Sequence, residues 1–261
     1  MTMTEIHSHA SIAASAKLAP GIKVGAFAVV GNDVELGEGC VVHAHAVVQG
    51  PGRYGRNNVF HPFCSIGGDP QDYTYRGERV QLVVGDGNIF REYVTINRGT
   101  QKGGGATTVG SGNFFLASSH VGHDCTVGNN TLFVNAATLA GHVTVEDFAT
   151  IGAFSPVHQF CRIGRYAYIA ASTVITQDVL PFSLIVGERG TKCFGPNTIG
   201  LERKGFDAGR IRALSKAFRL LTRSKLNTSQ AIAEMRVKLN GSADVDELIR
   251  FIEASERGVV K

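Results

Sequence analysis

Residues 119–145 read SHVGHDCTVGNNTLFVNAATLAGHVTV, and every sixth position from Val121 is aliphatic or aromatic: Val121, Val127, Phe133, Leu139 and Val145. The period extends in both directions. Upstream it runs from Ile6 through Ile12, Leu18, Val24, Val30, Leu36, Val42, Val48, Tyr54, Phe60 and Ile66, and it resumes in phase at Val84, Phe90 and Ile96. It shifts by one residue at Val109 and then continues through Phe115 and onward to Ile175. Of these 26 positions, 11 are followed directly by Gly. A hexapeptide repeat of this kind predicts a parallel β-helix, each hexad being a short strand plus a turn with its aliphatic residue inward. Gly is expected to relieve the backbone where the chain bends. Three hexads, about 18 residues, make one triangular coil.

The expected fold is therefore mainly β, with the solenoid over 1–190. Two stretches interrupt it, 68–82 and 98–108, the second reading RGTQKGGGATT. Assigning hexads to the three sides puts both interruptions after the side that holds Ile66, Ile96, Val121, Leu139, Val157 and Ile175, so both loops should leave one edge of the prism. Insertions in repeat proteins usually map to a binding face. From 191 to 261 the period becomes helical and predicts a small α-helical domain. Ile211, Leu214, Phe218 and Leu221 form one stripe, Ile232, Met235 and Leu239 a second, and Val245, Leu248, Ile249 and Ile252 a third. Caps are expected among Asn227, Thr228 and Ser229, and Asp244 with Glu247 resembles a capping box.

Composition narrows the class. Hydrophobic residues make up 43% of 261, enough for a core, and 32 Gly exceed ordinary globular usage. No apolar run approaches a membrane span, and the start MTMTEIHSHA carries no basic-then-apolar signal, which reads as cytoplasmic. Cys40, Cys64, Cys125, Cys161 and Cys193 form no metal or disulfide framework and read as free thiols. Arg203, Lys204, Arg210, Arg212, Lys216, Arg219, Arg223 and Lys225 face a single acid, Asp207, in the same segment. That run is either a solvated helix face or a dock for an acidic partner. Nucleic acid is not indicated, since no binding motif appears.

Residues one coil apart stack. One column on the loop-bearing side is His123, Gly141 and Gln159; the next is Asp124, His142 and Phe160; the preceding one is Gly122, Ala140 and His158. His120, His123, His142 and His158 thus gather at one edge, with Asn97 one coil earlier. His7, His9, His43, His45 and His61 lie outside this cluster and are read as non-catalytic. Two chemistries suit the cluster. An imidazole is a general base near neutral pH, and a Gly on the adjacent coil offers an unhindered N–H to an oxyanion. Alternatively, three imidazoles bind zinc.

At SHVGHDC (119–125), TLAGHV (138–143), VHQFCRIG (157–164) and GLERKGF (200–206) the chain closely resembles the acyl-[acyl-carrier-protein]–UDP-N-acetylglucosamine O-acyltransferases, which catalyse the first step of lipid A synthesis. The resemblance extends to PQDYTYRGE (70–78), TINRGT (95–100) and the helical tail. It implies a left-handed parallel β-helix, against the usual crossover rule, assembled as a homotrimer with intersubunit active sites. It further implies transfer of a (3-hydroxy)acyl chain from acyl carrier protein to the glucosamine 3-position of UDP-N-acetylglucosamine, without cofactor, metal or covalent enzyme intermediate. His123 would be the general base, Asp124 its orienting partner, and Gly141 N–H the oxyanion donor. His120, His142, His158 and Gln159 match positions that contact the sugar nucleotide or acyl chain. Asp72 matches a substrate-binding acid. Asn197 and Arg203 match residues that hold acyl-phosphopantetheine or nucleotide phosphates. Ala171 matches an inward acyl-chain ruler, and its small side chain implies a longer chain. The basic run then reads as a dock for acidic acyl carrier protein.

The chain departs from the family pattern at three places. Thr74 stands where Lys is usual, with Arg76 as a substitute charge; Asn97 stands where many members have His; Ile199 stands where Glu is frequent. An acceptor with a 3-amino group, giving an amide, is the alternative these departures raise. The rival of another class is a zinc γ-type carbonic anhydrase, which shares the trimeric β-helix. An N-acyltransferase of the same pathway would need an extra N-terminal domain, for which repeats starting at Ile6 leave no room.

Overall fold

The computed structural model describes residues 3–187 and 190–261. Short parallel strands stack into three faces of a triangular prism, a left-handed parallel β-helix. The first face has eleven strands, from Glu5–Ile6 to Tyr168–Ile169 and then Ser183–Val186 and Lys192–Pro196. The second face has eight, from Ser11–Ile12 to Pro156–Val157, and the third has eight, from Lys17–Leu18 to Arg162–Ile163. His120 pairs with Thr138 and Thr138 with Pro156, steps of 18 residues that match the repeat arithmetic. Both loops leave the second face and return on the third, between Ser65–Gly68 and Gln81–Val84 and between Thr95–Asn97 and Ala106–Val109.

From Val24 to Ile175 each inward position is buried, whereas Ile6 of the open first coil is exposed and Ile12 and Leu18 are partly so; where Phe recurs the rings pile up along the axis. Phe60, Phe90, Phe115 and Phe133 are fully buried, with successive centroids 5.2, 5.2 and 4.7 Å apart. A buried amide column accompanies them. Asn58 Oδ1 accepts from Asn88 N–H at 2.9 Å, and Asn88 Oδ1 accepts from Asn113 N–H at 3.0 Å. Each such amide satisfies a turn of the neighbouring coil and so fixes its register.

The glycines work differently from the sequence expectation. The left-handed conformation falls three residues past the inward position and is mostly occupied by side-chain-bearing residues, such as Phe27 at φ 58° and His142 at φ 62°. Most glycines directly after the inward position instead permit close approach of coils, Gly67 with its φ of 86° being an exception. A Cβ on Gly37 would lie 2.6 Å from the Gly55 carbonyl carbon. At Gly37 steric clearance, not backbone freedom, selects glycine.

The expected boundary at 190 falls within a hairpin, because Ser183–Val186 pairs antiparallel with Lys192–Pro196. Four helices follow: α1 Thr198–Arg203, α2 Ala208–Thr222, α3 Thr228–Lys238 and α4 Ala243–Glu253. Leu214, Phe218 and Leu221 of α2, Ile232 and Met235 of α3, and Val245, Leu248, Ile249 and Ile252 of α4 are buried together. Asn227 caps α3 through a capping box with Gln230. Asp244 and Glu247 form no such box. Asp244 takes Arg210 of α2 in a bidentate pair at 2.8 and 2.7 Å, and Glu247 takes Arg165 of the last coils at 3.0 and 2.7 Å. The first pair ties α4 to α2 within the tail, and the second docks the tail onto the solenoid. Among the described residues, no helix is long and apolar enough to cross a membrane.

Candidate active site

His123, Gly141 and Gln159 occupy consecutive turns at the corner between the second and third faces, with Asp124, His142 and Phe160 beside them. The turns lock together. His142 N–H donates to His123 C=O at 2.9 Å, and Phe160 N–H donates to Gly141 C=O at 3.3 Å. The imidazole of His123 lies directly over Gly141: a Cβ there would sit 2.6 Å from its Cε1 and 2.8 Å from its Nε2. The Gly141 N–H donates to no acceptor among the described residues. The hydrogen-bonding pattern of this turn leaves that amide free, and the missing side chain leaves it uncovered.

The Asp124 side chain is fully buried and held by the second loop. Its Oδ1 accepts from Thr100 N–H at 2.6 Å, and its Oδ2 accepts from the Thr100 hydroxyl at 2.7 Å. Its own N–H donates to Thr107 Oγ1 at 2.8 Å. Oδ2 also faces His123 Nδ1 at 2.7 Å. A carboxylate aimed at Nδ1 fixes the tautomer with the proton there and leaves Nε2 as a lone-pair acceptor. Gly103 backs onto this carboxylate so closely that any Cβ would collide with it.

His142 Nε2 stands 3.5 Å from Asp124 Oδ2, and its ring is stacked on Phe160 with centroids 4.5 Å apart. Burial lowers its pKa; Asp124 opposes that, while His123 and Lys102 reinforce it. His120 lies half-buried on the outer side of the second face, its Nδ1 2.7 Å from Thr95 Oγ1. Burial, then His123, lowers its pKa. His158 is exposed, and its Nδ1 is 3.3 Å from Arg257 Nη2 of the C-terminal tail. His123, Asp124 and His142 bring donor atoms within 4.8 Å of one another, a set that would fit a cation as well as a proton relay.

The corner opens into a cleft of about 670 Å³ lined by Asp72, Lys102, His123, His142, Gln159 and Phe160, among others. Asp72 reaches it from the first loop, and Lys102 Nζ meets its Oδ2 at 2.6 Å. The Thr74 N–H and hydroxyl both donate to Asp72 Oδ1 at 2.7 Å. Lys102 first and Thr74 next hold the Asp72 carboxyl well below the usual carboxylate range. Arg76 does not supply the charge that Thr74 lacks. Its guanidinium donates to Tyr73 C=O and Tyr75 C=O, each at 2.9 Å.

Three expected site residues lie elsewhere on the chain. Asn197 caps α1, its Oδ1 accepting from Gly200 N–H at 3.2 Å. With Ile199, Arg203 and Tyr168 it lines a separate cavity of about 530 Å³ against the outside of the first face. That face is opposite the His123 corner in a three-sided prism. Ala171 sits in an exposed turn at the corner between the first and second faces and does not point into the prism. The reason is its place two residues past the inward Ile169, where the chain is already turning. Asn97 is buried at the root of the second loop, donating to Asp69 C=O at 2.7 Å.

Thr100, Thr107 and Lys102 were not legible as site residues. Their signal lay in the GTQKGGGATT loop, whose length and glycines mark an insertion without saying what it grips. Arg257, at the far end of the chain, had no local signal.

A family profile described as UDP N-acetylglucosamine O-acyltransferase, domain 2, matches residues 178–260. The acyl-[acyl-carrier-protein]–UDP-N-acetylglucosamine O-acyltransferase of Xylella fastidiosa is 45% identical over 98% of this chain and 97% of its own. The enzyme of the same name from Stenotrophomonas maltophilia is 46% identical over the same shares. The solved UDP-N-acetylglucosamine acyltransferase of Francisella novicida is 36% identical and superposes with a TM-score of 0.93, covering 98% of this chain and 93% of that one. Identity of this level, spread across solenoid, both loops and tail, makes this chain a member of the acyl-[acyl-carrier-protein]–UDP-N-acetylglucosamine O-acyltransferase family.

Proposed function

We propose that this chain transfers an acyl group, 3-hydroxylated in our reading, from acyl carrier protein to the 3-hydroxyl of UDP-N-acetylglucosamine, the first step of lipid A synthesis. The observation that carries the mechanism is the His123 imidazole lying over an uncovered Gly141 N–H. His123 Nε2 takes the proton of the sugar hydroxyl while Nδ1–H donates to Asp124. The freed oxygen attacks the thioester carbonyl, and the Gly141 N–H donates to the oxyanion that forms. Collapse breaks the C–S bond, and the imidazolium returns its proton to the departing thiolate. The mechanism requires no Ser or Cys nucleophile, no metal and no cofactor.

Asp72, His142 and Gln159 line the cleft and are assigned to acceptor binding, with His120 and His158 flanking it on the same edge. Asn197, Arg203 and Ala171 bear on the reaction only if a second copy contributes them, since no single prism can bring its first face to its opposite corner. We therefore assign a homotrimer with sites between subunits, in which the tail and Ala171 of a neighbour complete each cleft. Arg212, Lys216, Arg219 and Arg223 fall along one exposed side of α2, and among the described residues none of them forms an ion pair. That face suits acidic acyl carrier protein, and a reducing cytoplasm suits the buried free thiols. The test is incubation with UDP-N-acetylglucosamine and a panel of acyl carrier protein thioesters. Mass analysis should show a nucleotide carrying one acyl ester; an unmodified nucleotide with every donor would reject the function, and acylation only of a 3-amino analogue supplied in parallel, as an amide, would move the acceptor to that class.

A further inference from the structure

Among the described residues the cleft contains one permanent cation, and it comes from the second loop. Of the lining residues only Lys102 carries a fixed positive charge. The other cations near the loops are engaged elsewhere. Arg76 is folded onto the backbone of its own loop, Arg79 pairs with Asp33 at 2.8 Å, and Arg98 pairs with Asp69. Lys102 stays just over half exposed, at 55%, although its Nζ meets Asp72 Oδ2 at 2.6 Å and Thr74 Oγ1 at 3.0 Å. An ammonium has three donors, so one remains for a ligand in the cleft.

Asp72 is placed to aim that ammonium. Its side chain is only 8% exposed, and its oxygens are occupied by Thr74 and Lys102. Thr74 is short, and its hydroxyl accepts from Lys102 at a position where a longer basic side chain would displace it. Lys102 also precedes Gly103, which packs on the Asp124 carboxylate. The second loop thus joins a substrate-facing charge to the carboxylate that orients His123.

Building on the acyl transfer proposed above, we infer that Lys102 is the cation that binds oxygens of the acceptor sugar nucleotide in this chain, beside His142 and Gln159, and that Asp72 acts on the acceptor through it. Asp72 and Thr74 position it, and the charge that the first loop lacks at Thr74 is delivered by the second loop.

The experiment is steady-state kinetics of the full chain on UDP-N-acetylglucosamine and acyl carrier protein thioester. Lys102→Met keeps the aliphatic stem and removes the charge. It should raise KM for the nucleotide by roughly 10- to 100-fold, the loss expected for one charge-assisted hydrogen bond. KM for the acyl carrier protein thioester and the melting temperature should stay near wild type. Adding Thr74→Lys to Lys102→Met should return the nucleotide KM to within about threefold of wild type, because an ammonium is restored beside Asp72. Wild-type KM in Lys102→Met overturns the inference. So does a rise in both KM values with a lower melting temperature, which would make Lys102 a loop brace. Failure of Thr74→Lys to rescue a well-folded Lys102→Met overturns the charge exchange. A wild-type chain that forms no acylated nucleotide would instead defeat the function itself.

Discussion

Gly141→Ala isolates the closest contact of the site. The added methyl would lie 2.6 Å from His123 Cε1 and 2.8 Å from Nε2. Carbon atoms in contact prefer about 3.5–4.0 Å, so the ring must retreat by about 1 Å. Gly141 does not have positive φ, so alanine fits the backbone without strain. The His123 side chain is 15% exposed and borders the cleft, which gives the ring space to move. The folded state should therefore tolerate the change while the chemistry should not. A misplacement of about 1 Å costs on the order of 100-fold in rate, equivalent to about 2.7 kcal/mol of barrier. The methyl also crowds the amide that receives the oxyanion. Initial rates of acylated nucleotide formation should show kcat lowered about 100-fold, with both KM values changed little and the thermal transition preserved. A Gly141→Ala enzyme within about threefold of wild-type kcat would refute the reasoning, because neither ring position nor amide access would then limit the reaction.

Asp124→Asn replaces a carboxylate that accepts from Thr100 twice and from His123 once. It should lower kcat by about 10²–10⁴-fold through loss of the imidazole tautomer, measured by the same assay; an active variant would remove Asp124 from the mechanism. His61, His120 and His142 each have a pKa lowered from 6.5, with burial as the leading cause. The unfolded chain then binds protons first as pH falls below 6.5, so stability should decline from that point downward and level off once the folded groups also protonate. Melting temperatures between about pH 7 and 5.5 should show the decline, and His120→Gln should flatten it; an unchanged slope would contradict the sign. Burial pushes the Cys64 and Cys125 thiols up to about 12 and Cys193 up to about 11. With all 5 thiols buried, the native protein should resist iodoacetamide at neutral pH and label fully in denaturant; labelling of the native protein would show that the coils open.

The hexad period exposed most of the architecture because a β-helix writes its geometry at fixed spacing. Inward positions must be apolar, residues one coil apart must stack, and a break in phase must be a loop. Those rules alone brought His123 to Gly141 and set both loops on one edge. The tail was legible as helices through Leu214, Phe218 and Leu221, whose spacing follows burial on one side. Contacts between loops were not legible, since nothing in the order of residues tells Lys102 to meet Asp72. The same limit explains Asp244 and Glu247, which satisfied a local capping pattern yet serve Arg210 and Arg165 from distant segments. Ala171 fell to a different error. Its family match suggested an inward side chain, whereas the count of two from Ile169 already placed it in the turn.

The most direct test is the rate of acylated nucleotide formation by His123→Ala, measured on protein shown to retain its fold. Removal of the imidazole that lies over the Gly141 amide should leave no more than about one part in 10³ of wild-type kcat, a loss at the scale of general-base catalysis. Retention of a tenth or more of wild-type kcat, with the fold intact, would contradict a mechanism built on that imidazole.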